Sequence, residues 1–550
     1  MKKAILIHPK DDLAVALTDL KEGESVTIGD LKVQLVTDVR AKHKLATKKF
    51  KIGDKVHMYG LVVGVAKQEI QKGEVMTTFN LAHKSESFSS EIQGSFTWSP
   101  PDISNFEDKK FQGYHRPDGQ VGTANYWLVF PLVFCENRNI ETIQKAFERG
   151  LGLERPDTYT QLVTELVTKY QSNGDSFDAA DFKLEEQDLV QPKPSVFENI
   201  DGIRFLTHQG GCGGIRQDSE TLCRLLAGYV NNPNVAGATV LSLGCQNAQI
   251  EMLQNAFDSI NPDLQKPILF FDQQETGKET DLVKNAITET FKALIDVNKI
   301  ERKPASLSKL VIGQECGGSD GFSGISANPS VGYVSDLIVA LGGKAILSEF
   351  PELCGVEQEL INRMVDQKNA TKFASLMRLY EKAAEDAGSG FDMNPSPGNI
   401  KDGLITDAMK SAGAAKKGGT SPIAAVLDYT EYATKPGLNL LCTPGNDVES
   451  TTGLAGSGAN IILFTTGLGT PTGNPITPVL KVSSNTALAE RMPDIIDIDT
   501  GAVIRGEKTI EEMGEEMLDH IIKVASGEMD SKAMLLGQYD FIPWKRGVSL

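Results

Sequence analysis

The amino-acid sequence predicts an α/β protein in which a small all-β segment is followed by two blocks of alternating strands and helices. Near the amino terminus, turns rich in Lys, Gly and acidic residues lead into Val-rich strands, as in KIGDKVHMYGLVVGVA. From Gly113 onward, apolar runs such as NYWLVFPLVF alternate with helical patterns, which is typical of a mostly parallel sheet covered by helices on both faces. The apolar runs end in Gly, Asn, Cys or acidic residues, and open α/β sheets bind ligands at such strand ends.

The chain divides into four predicted segments, and its 550 residues suit about three domains. We predict an all-β domain over 1–85, a linker over 86–112, a second domain over 113–300 and a third over 301–550. The acidic, Pro-containing stretch 173–201 is predicted to be an insertion loop. Near the end, EEMGEEMLDHIIKVASG predicts an amphipathic helix that ends at Gly527.

Charge and composition narrow the classes of partner. The 73 acidic residues against 55 basic residues give a formal net charge of −18, which repels nucleic-acid phosphates and anionic lipids. We therefore expect neither nucleic acid nor a membrane as a partner. We expect no secretory leader and no membrane span, because the first residues have too short an apolar run and no run in the sequence approaches roughly 20 apolar residues. Its seven cysteines are scattered, so we expect a cytoplasmic protein.

The most informative segment is 314–332, QECGGSDGFSGISANPSVG, which follows the apolar run LSKLVIG over 307–313. We predict that this run is a buried strand that delivers amides, hydroxyls and a carboxylate to its carboxyl end. Other carboxylates and amides fall in comparable loops. These residues are Asp320, Glu349, Glu352, Asn399, Asn446 and Asp447. Turn formation is their ordinary role, but their convergence would suit a divalent cation that prefers oxygen ligands.

Two other chemistries are open from the residues alone. GGSDG matches the G-x-S-x-G pattern of serine hydrolases, with Ser319 as the nucleophile. A Gly- and Pro-rich loop follows it, however, and the only later histidine is His520. Four cysteines lie at predicted strand ends, where they are either small buried apolar groups or a soft-metal or iron–sulfur site. These are Cys135, Cys212, Cys245 and Cys316.

Long strings of the sequence together resemble the altronate/galactarate dehydratase family of sugar-acid hydro-lyases. They include RAKHKLA, GYHRPDGQVGTANYW, ECGGSDGFSGISANPSVG, NPSPGN, KGGTSP, PGND and FTTGLGTPTG. The resemblance covers nearly the whole chain. It implies a β-clip (SAF-like) fold for 1–85, a possible dimerisation role for 113–300, and a mostly parallel, doubly wound, Rossmann-like sheet for 301–550.

The resemblance also implies an activity. Members of this family remove water from a sugar acid with iron or manganese and form a 2-keto-3-deoxy acid. We therefore expect dehydration of D-altronate to 2-keto-3-deoxy-D-gluconate with Fe(II) or Mn(II), in a homodimer or larger homo-oligomer whose small partner is an anionic sugar acid. Galactarate dehydration is the alternative within the family. A serine hydrolase and a non-catalytic sugar-acid-binding protein are alternatives of other classes.

On the matching loops we expect three groups of site residues. The expected metal ligands are Asp320, Glu349 and Asp447. The expected acid or base is His43 with Lys44, and His208 in THQGGC competes with them. The expected substrate-binding residues are Gly317, Gly318, Ser319, Asn399, Thr420, Ser421, Asn446, Thr465 and Thr466.

The chain departs from the family pattern at two informative places. Residues 77–80 read TTFN, whereas the family often carries His-x-His-Asn there, so a metal in this chain needs other ligands. Leu468 stands in TTGLG, where an Arg is usual. Without that cation, a second substrate carboxylate is less favoured, which favours the mono-acid altronate over galactarate.

Overall fold

The computed structural model describes residues 2–155, 158–173 and 190–549, and its elements follow the order expected from the sequence. The strands are β1 (Ala4–Ile5), β2 (Leu13–Ala16), β3 (Ser25–Ile28), β4 (Leu31–Gln34), β5 (Lys44–Ala46), β6 (Lys55–Met58), β7 (Leu61–Ala66), β8 (Leu81–Ala82), β9 (Lys110–His115), β10 (Val121–Gly122), β11 (Tyr126–Pro131), β12 (Gly202–Phe205), β13 (Val235–Ser242), β14 (Ile268–Asp272), β15 (Arg302–Ser306), β16 (Val311–Cys316), β17 (Lys344–Leu347), β18 (Ile423–Leu427), β19 (Gly437–Leu441), β20 (Ile461–Thr466), β21 (Val479–Ser483) and β22 (Ile498–Asp499).

The α-helices of the described residues lie mostly between the parallel strands. They are α1 (Asn137–Leu151), α2 (Thr158–Asn173), α3 (Arg216–Asn231), α4 (Ile250–Ile260), α5 (Gln273–Thr276), α6 (Glu279–Val297), α7 (Ala327–Ala340), α8 (Glu357–Asn362), α9 (Gln367–Asp386), α10 (Pro397–Lys401), α11 (Asp407–Ala414), α12 (Asp447–Gly456), α13 (Thr486–Arg491), α14 (Gly501–Arg505), α15 (Ile510–Ala525) and α16 (Lys532–Leu536). Across the ranges that the structure describes, none of these helices combines the length and apolar character needed to cross a bilayer.

The amino-terminal residues form small antiparallel sheets, as the sequence predicts. Their strand orders are β1-β2-β5, β3-β4 and β6-β7-β8. Alternating residues such as Val26 and Ile28 of β3 are buried while their neighbours are exposed, which is the pattern of a sheet with one face in a core.

The second block contains a four-stranded parallel sheet of order β12-β11-β13-β14. Its central strands β11 and β13 are buried along their whole length, because helices cover both faces of the sheet. The insertion loop predicted at 173–201 lies partly outside the described residues. Of its described part, Asn173 ends α2 and residues 190–201 contain neither helix nor strand.

The third block is built on a seven-stranded, all-parallel sheet of order β18-β19-β17-β16-β20-β21-β22. After β16, the chain places β17, β18 and β19 on one side of this strand. It then returns and places β20, β21 and β22 on the other side. This confirms the doubly wound, mostly parallel sheet expected for the carboxyl-terminal part. The point between β16 and β20, where the direction of strand order reverses, is where such sheets bind ligands.

The central strand β16 begins and ends later in the chain than the strand predicted at 307–313. Residues Leu307–Lys309 form a 3₁₀ turn, in which Ser306 accepts a hydrogen bond from the Ser308 amide. The strand therefore runs from Val311 to Cys316 and includes polar residues that the sequence analysis placed in the following loop. Glu315 can lie in a buried strand because the Ser348 and Ser450 hydroxyls donate to its carboxylate.

Helix α15 confirms the amphipathic helix predicted near the end of the chain. Thr509 and Glu512 form a capping box at its start, with each side chain bonded to the backbone amide of the other. Its buried residues, among them Met517 and Ile521, pack in the core beside β9 and α7. Gly527, with a φ of +71°, follows the cap.

The amino-terminal block is docked onto the third block through the loop 42–44. A side chain at Gly321 would place its Cβ 2.1 Å from the Lys42 carbonyl oxygen, and one at Gly403 would place it 2.4 Å from the same oxygen. The Lys44 ammonium donates to the Gly403 carbonyl at 2.7 Å. The loop fits because two glycines leave room for its backbone. Residues 83–109, which contain no strand or helix, also contact the third block. In this segment the Ser89 amide donates to Gln358 Oε1 at 2.9 Å.

The variant Gly321→Ala is expected to loosen this docking, because its methyl group would overlap the Lys42 carbonyl. Forcing a side chain into a packed contact costs about 1–3 kcal/mol. We expect a lower Tm and faster proteolysis between the amino-terminal block and the rest. Gly150→Ala, in α1 with nothing within 4 Å of the added Cβ, is the matched control. Unchanged melting and proteolysis of Gly321→Ala would contradict the docking.

Candidate active site

Loops from separate strands meet at the carboxyl edge of β16 and β20. A Cβ on Gly317 would lie 2.2 Å from Asp447 Oδ2, and a Cβ on Gly467 would lie 2.2 Å from the Asp320 carboxyl carbon. A Cβ on Gly445 would be 3.9 Å from Glu352. The glycines that characterise these segments therefore let carboxylates from neighbouring loops approach the backbone. The predicted convergence of the loops is present in the structure.

A buried cluster of charged groups lies beneath these loops. The Lys417 ammonium is 2.6 Å from Cys316 Sγ and 2.9 Å from Glu349 Oε2. Cys316 Sγ is 2.9 Å from Glu352 Oε2, and Lys410 pairs with the other oxygen of Glu352 at 2.6 Å. Cys316, Glu349, Glu352 and Lys417 are each at most 3% exposed. A cluster so well removed from water depends on internal pairing.

The ionisation of the cluster follows from burial and from its neighbours. Burial raises the pKa of Glu349, and the nearby Glu352 carboxylate raises it further. Burial alone would also raise the pKa of Glu352, but Lys410 and Lys417 outweigh that effect and hold the pKa below its usual value. Asp447 is half-buried at the rim, where burial, with Glu349 and Glu352, raises its pKa to about 6. Acidic groups that disfavour one another's ionisation are thus concentrated at this edge, and Glu352 is the one whose ionised form is favoured.

Glu349 is held in an unusual conformation. Its φ is +67°, in the left-handed region that a residue with a side chain rarely adopts. The Glu349 amide donates to Thr443 Oγ1 at 2.8 Å, and its carboxylate accepts from the Cys316 amide at 3.0 Å. Strain of this kind persists where surrounding contacts fix it, and it occurs often at functional sites.

The cluster fits a divalent metal ion. One ligand atom from each of Cys316, Glu349 and Glu352 lies within 4.8 Å of the other two. Glu349 Oε1 and the Oε1 of neighbouring Glu315 are buried, and the two carboxyl groups hydrogen-bond to each other. Burial raises the pKa of Glu315 well above its usual range, which favours a proton between them. A divalent cation would take the place of such a proton among these carboxyl groups.

Asp320 is not part of that ligand group. Its Oδ1 accepts from the Phe322 and Ser323 amides and from the Ser323 and Ser484 hydroxyls. Its Oδ2 accepts from Asn485 at 3.2 Å and pairs with Lys42 at 2.9 Å. A carboxylate with so many donors has little capacity left for a metal. Of the three expected ligands, the structure brings Glu349 and Asp447 together and gives Asp320 a different environment.

Two of the three expected acid–base residues lie near the site. The His43 ring is half-buried, and its Nε2 lies 3.0 Å from the Lys401 carbonyl. Lys44 is 1% exposed, and burial lowers its pKa to about 7. His208 is elsewhere, in the second block. Its Nε2 is 2.8 Å from the Pro131 carbonyl, and its Nδ1 accepts from the Gly210 amide. Both ring nitrogens of His208 are thus used by backbone groups.

The expected substrate-binding residues separate into two sets. Seven of them belong to the converging loops or contact these loops, namely Gly317, Gly318, Ser319, Asn399, Asn446, Thr465 and Thr466. For example, the Asn399 side chain donates to the Ser319 carbonyl, and the Gly318 carbonyl accepts from the Gly467 and Leu468 amides. Thr420 and Ser421 do not join them. Their amides bind the Asp336 carboxylate of α7 just before β18 begins, toward the amino-terminal edge of the sheet.

The structure brings two of the four strand-end cysteines together and places Cys316 elsewhere. Cys135, Cys212 and Cys245 are exposed beside the second sheet, and the Cys135 and Cys212 thiols are in hydrogen-bonding contact. Cys316 is buried in the third block. All seven cysteines are free thiols. Ser319 Oγ has no hydrogen-bonded histidine within the described ranges, and the strand before it ends at Cys316, so the strand–serine–helix turn of a serine hydrolase is not formed.

Three residues of the buried cluster are not among the predicted site residues, namely Glu315, Lys410 and Lys417. Glu315 was predicted in a loop instead of a strand. Lys410 and Lys417 had no predicted role. The spacing of seven residues between Lys410 and Lys417 places two lysines on one side of a helical segment, and this signal could have suggested that they share a partner.

The fold and the buried acidic cluster at its switch point are those of an α/β protein with a candidate active site, and comparisons with known proteins identify it as a hydro-lyase. Residues 2–84 match the altronate/galactarate dehydratase SAF domain, and residues 113–298 match the D-galactarate dehydratase/altronate hydrolase second domain. Residues 307–549 match the D-galactarate/altronate dehydratase C-terminal domain. The chain belongs to the altronate/galactarate dehydratase family.

Characterised relatives extend over nearly the whole chain. The altronate dehydratase of Bacillus subtilis is 32% identical over 532 residues, which is 96% of each protein. The altronate dehydratase of Escherichia coli is 32% identical over 95% of each protein. The galactarate dehydratase (L-threo-forming) of Escherichia coli is 30% identical over 95% of this chain and 93% of its own.

The variant Lys417→Met should be strongly destabilising, because it leaves the buried Cys316 and Glu349 groups without their cation. Removing one partner of a buried ion pair costs about 3–5 kcal/mol. We expect a large fall in Tm that the double variant Lys417→Met/Glu349→Gln partly restores. Lys416→Met, at the adjacent and less buried lysine, is the control. An equal effect of Lys416→Met and Lys417→Met, or no recovery in the double variant, would contradict the pairing.

Proposed function

We propose that this hydro-lyase dehydrates D-altronate to 2-keto-3-deoxy-D-gluconate with the help of Fe(II) or Mn(II). The observation that carries the proposal is the acid-rich cluster buried at the switch point of the doubly wound sheet, beneath glycine loops from separate strands. The family supplies the reaction class. The cluster supplies a place where an ion and an anionic sugar acid can meet.

Cys316, Glu349 and Glu352 would hold the ion, and Asp447 would complete the set from the rim. When bound, a divalent ion stabilises the second negative charge that develops as the proton next to the substrate carboxylate leaves. Lys410 and Lys417 hold the pKa of Glu352 below its usual value, and they pair with the Glu352 and Glu349 carboxyl groups. The Thr443 hydroxyl fixes the backbone of Glu349.

The loop 42–44 from the amino-terminal block supplies the remaining groups. Burial lowers the pKa of His43 and keeps its ring neutral, as a general base requires. With Nε2 directed at the Lys401 carbonyl, Nδ1 is the atom that would accept the substrate proton. The Lys42 ammonium, with a side chain 20% exposed, would attract the substrate carboxylate. Asp320 acts as a positioning residue that holds Lys42.

The preference for altronate rests on Leu468. Its side chain is adjacent to Gly318, since a Cβ on that glycine would be 3.3 Å from the Leu468 Cβ. An apolar side chain in this loop offers nothing to pair with the second carboxylate of galactarate. Two of the relatives act on altronate and one on galactarate by their names, so both substrates belong in the test.

An anaerobic assay tests the proposed function. We expect a 2-keto-3-deoxy acid from altronate only when Fe(II) or Mn(II) is added to chelated protein. Asp447→Ala should lose metal-dependent turnover and keep its fold. Glu449→Ala, in the same first turn of α12, should keep both its turnover and its fold. His43→Ala should lower kcat by about 10²–10⁴-fold.

Other outcomes of the assay would replace the proposal. Turnover in a chelator with covalent labelling of Ser319 would indicate a hydrolase. Binding of altronate without any product under every metal condition would indicate a binding protein. Light scattering on the same samples tests the proposed homodimer or larger homo-oligomer.

The variant Leu468→Arg tests substrate choice. A guanidinium in this loop should raise kcat/KM for galactarate relative to altronate by about tenfold or more, because it can form a charge-assisted pair with the second carboxylate. Leu468→Met, which keeps the size and adds no charge, is the control. An unchanged ratio in Leu468→Arg would remove Leu468 as the determinant and leave the reaction class intact.

A further inference from the structure

A second group of metal-ligating side chains lies where the amino-terminal block meets the third block. One ligand atom from each of His83, Cys354 and Asp407 lies within 4.8 Å of the other two. None of these residues belongs to the cluster around Glu349. The candidate active site leaves this group unexplained.

Three separate elements bring the residues together. His83 directly follows β8, and Cys354 follows the 3₁₀ turn Phe350–Leu353. Asp407 is the first residue of α11, behind the N-cap Thr406. The Thr406 hydroxyl donates to the Val63 carbonyl of β7 at 2.7 Å. The group is thus a junction between the two blocks and is held in place by contacts on both sides.

The group contains a buried acceptor with weak partners. Asp407 is 0% exposed, and the thiol of Cys354 is the neighbour that hydrogen-bonds to its carboxyl group. Asp407 Oδ1 also has a long contact of 3.4 Å from the Ser411 hydroxyl. Lys410, a lysine in the next turn of α11, is paired with Glu352 and with Asn394. A carboxylate with only weak donors and no cation is costly to bury.

The three side chains offer a borderline-soft set of ligands. An imidazole, a thiolate and a carboxylate suit zinc, which binds Cys, His and Asp in tetrahedral sites. With zinc bonds of about 2.0–2.3 Å, tetrahedral ligand atoms lie about 3.3–3.8 Å apart. The present spacing is therefore within small side-chain movements of a closed site. Three protein ligands leave one position for water.

We propose that His83, Cys354 and Asp407 bind a zinc ion that fastens the amino-terminal block to the third block. Cys354 is 7% exposed and His83 is partly exposed, so the ion would enter from the His83 side. The ion would replace the weak thiol contact of Cys354 as the partner of the Asp407 carboxylate. By joining elements from both blocks, it would also hold the loop 42–44 over the active site.

The test is metal binding by the full chain after chelation. We expect one zinc per chain at this site, and cobalt in its place should give thiolate-to-cobalt absorption. Cys354→Ser and His83→Ala should each weaken zinc binding by at least about 100-fold and abolish the rise in Tm that zinc produces by binding the folded chain. Cys442→Ser, at another buried free cysteine of the third block, should leave both signals unchanged.

The variants also separate this site from the proposed active site. Cys316→Ser should remove the active-site signal and leave the zinc signal that depends on Cys354. If Cys354→Ser is too unstable to purify, His83→Ala at the partly exposed ligand gives the same readout. Zinc and cobalt signals that persist in both Cys354→Ser and His83→Ala, or that disappear only in Cys316→Ser, would overturn the inference without affecting the proposed dehydration.

Discussion

The concentration of acidic groups at the carboxyl edge of β16 is the constraint on which the rest of the site depends. Two buried carboxylates next to a thiol would be costly without partners, because each buried ion loses several kcal/mol of hydration. Lys417 and Lys410 offset part of that cost through contacts of 2.6–2.9 Å. The hydrogen bond between the Glu315 and Glu349 carboxyl groups, favoured by the raised pKa of Glu315, offsets a further part.

Glycine determines how closely these acidic groups can be surrounded. At Gly317 and Gly467, a side chain would collide with the Asp447 and Asp320 carboxylates, and at Gly321 it would collide with the Lys42 carbonyl. The Gly-rich strings in the sequence are therefore explained by packing between loops as well as by turns. The same property lets the amino-terminal block insert a backbone loop over the edge of the sheet and bring a histidine and two lysines to it.

Sequence patterns predicted the strands and helices better than they predicted the contacts that each side chain makes in the fold. The apolar run NYWLVFPLVF identified the buried strand β11, and in the third block the reversal of strand order places loops at one edge, as expected for a doubly wound sheet. Strand β16 was predicted too early in the chain because Gln314 and Glu315 are polar. Polar residues in a buried strand depend on hydrogen bonds from distant hydroxyls, which no local pattern reveals.

The site was predictable at the level of loops and less so at the level of single residues. Glu349 and Asp447 converge, but Asp320 is surrounded by donors from segments more than 150 residues away. Thr420 follows a glycine pair that resembles a binding loop, yet it caps Asp336 near the other edge of the sheet. The spacing of Lys410 and Lys417 suggests a shared partner, but the sequence does not show which groups these are, because the contacts are made across the fold. The family resemblance supplied the reaction, which the composition alone could not.

A crystal structure of the protein exposed anaerobically to Mn(II), with anomalous diffraction measured, tests the central claim most directly. The account predicts an anomalous peak bonded to the Glu349 and Glu352 carboxylates and to Cys316 Sγ, with Lys417 displaced from the sulfur. Full manganese occupancy at another place, with the Lys417–Cys316 and Lys417–Glu349 contacts unchanged, would contradict it.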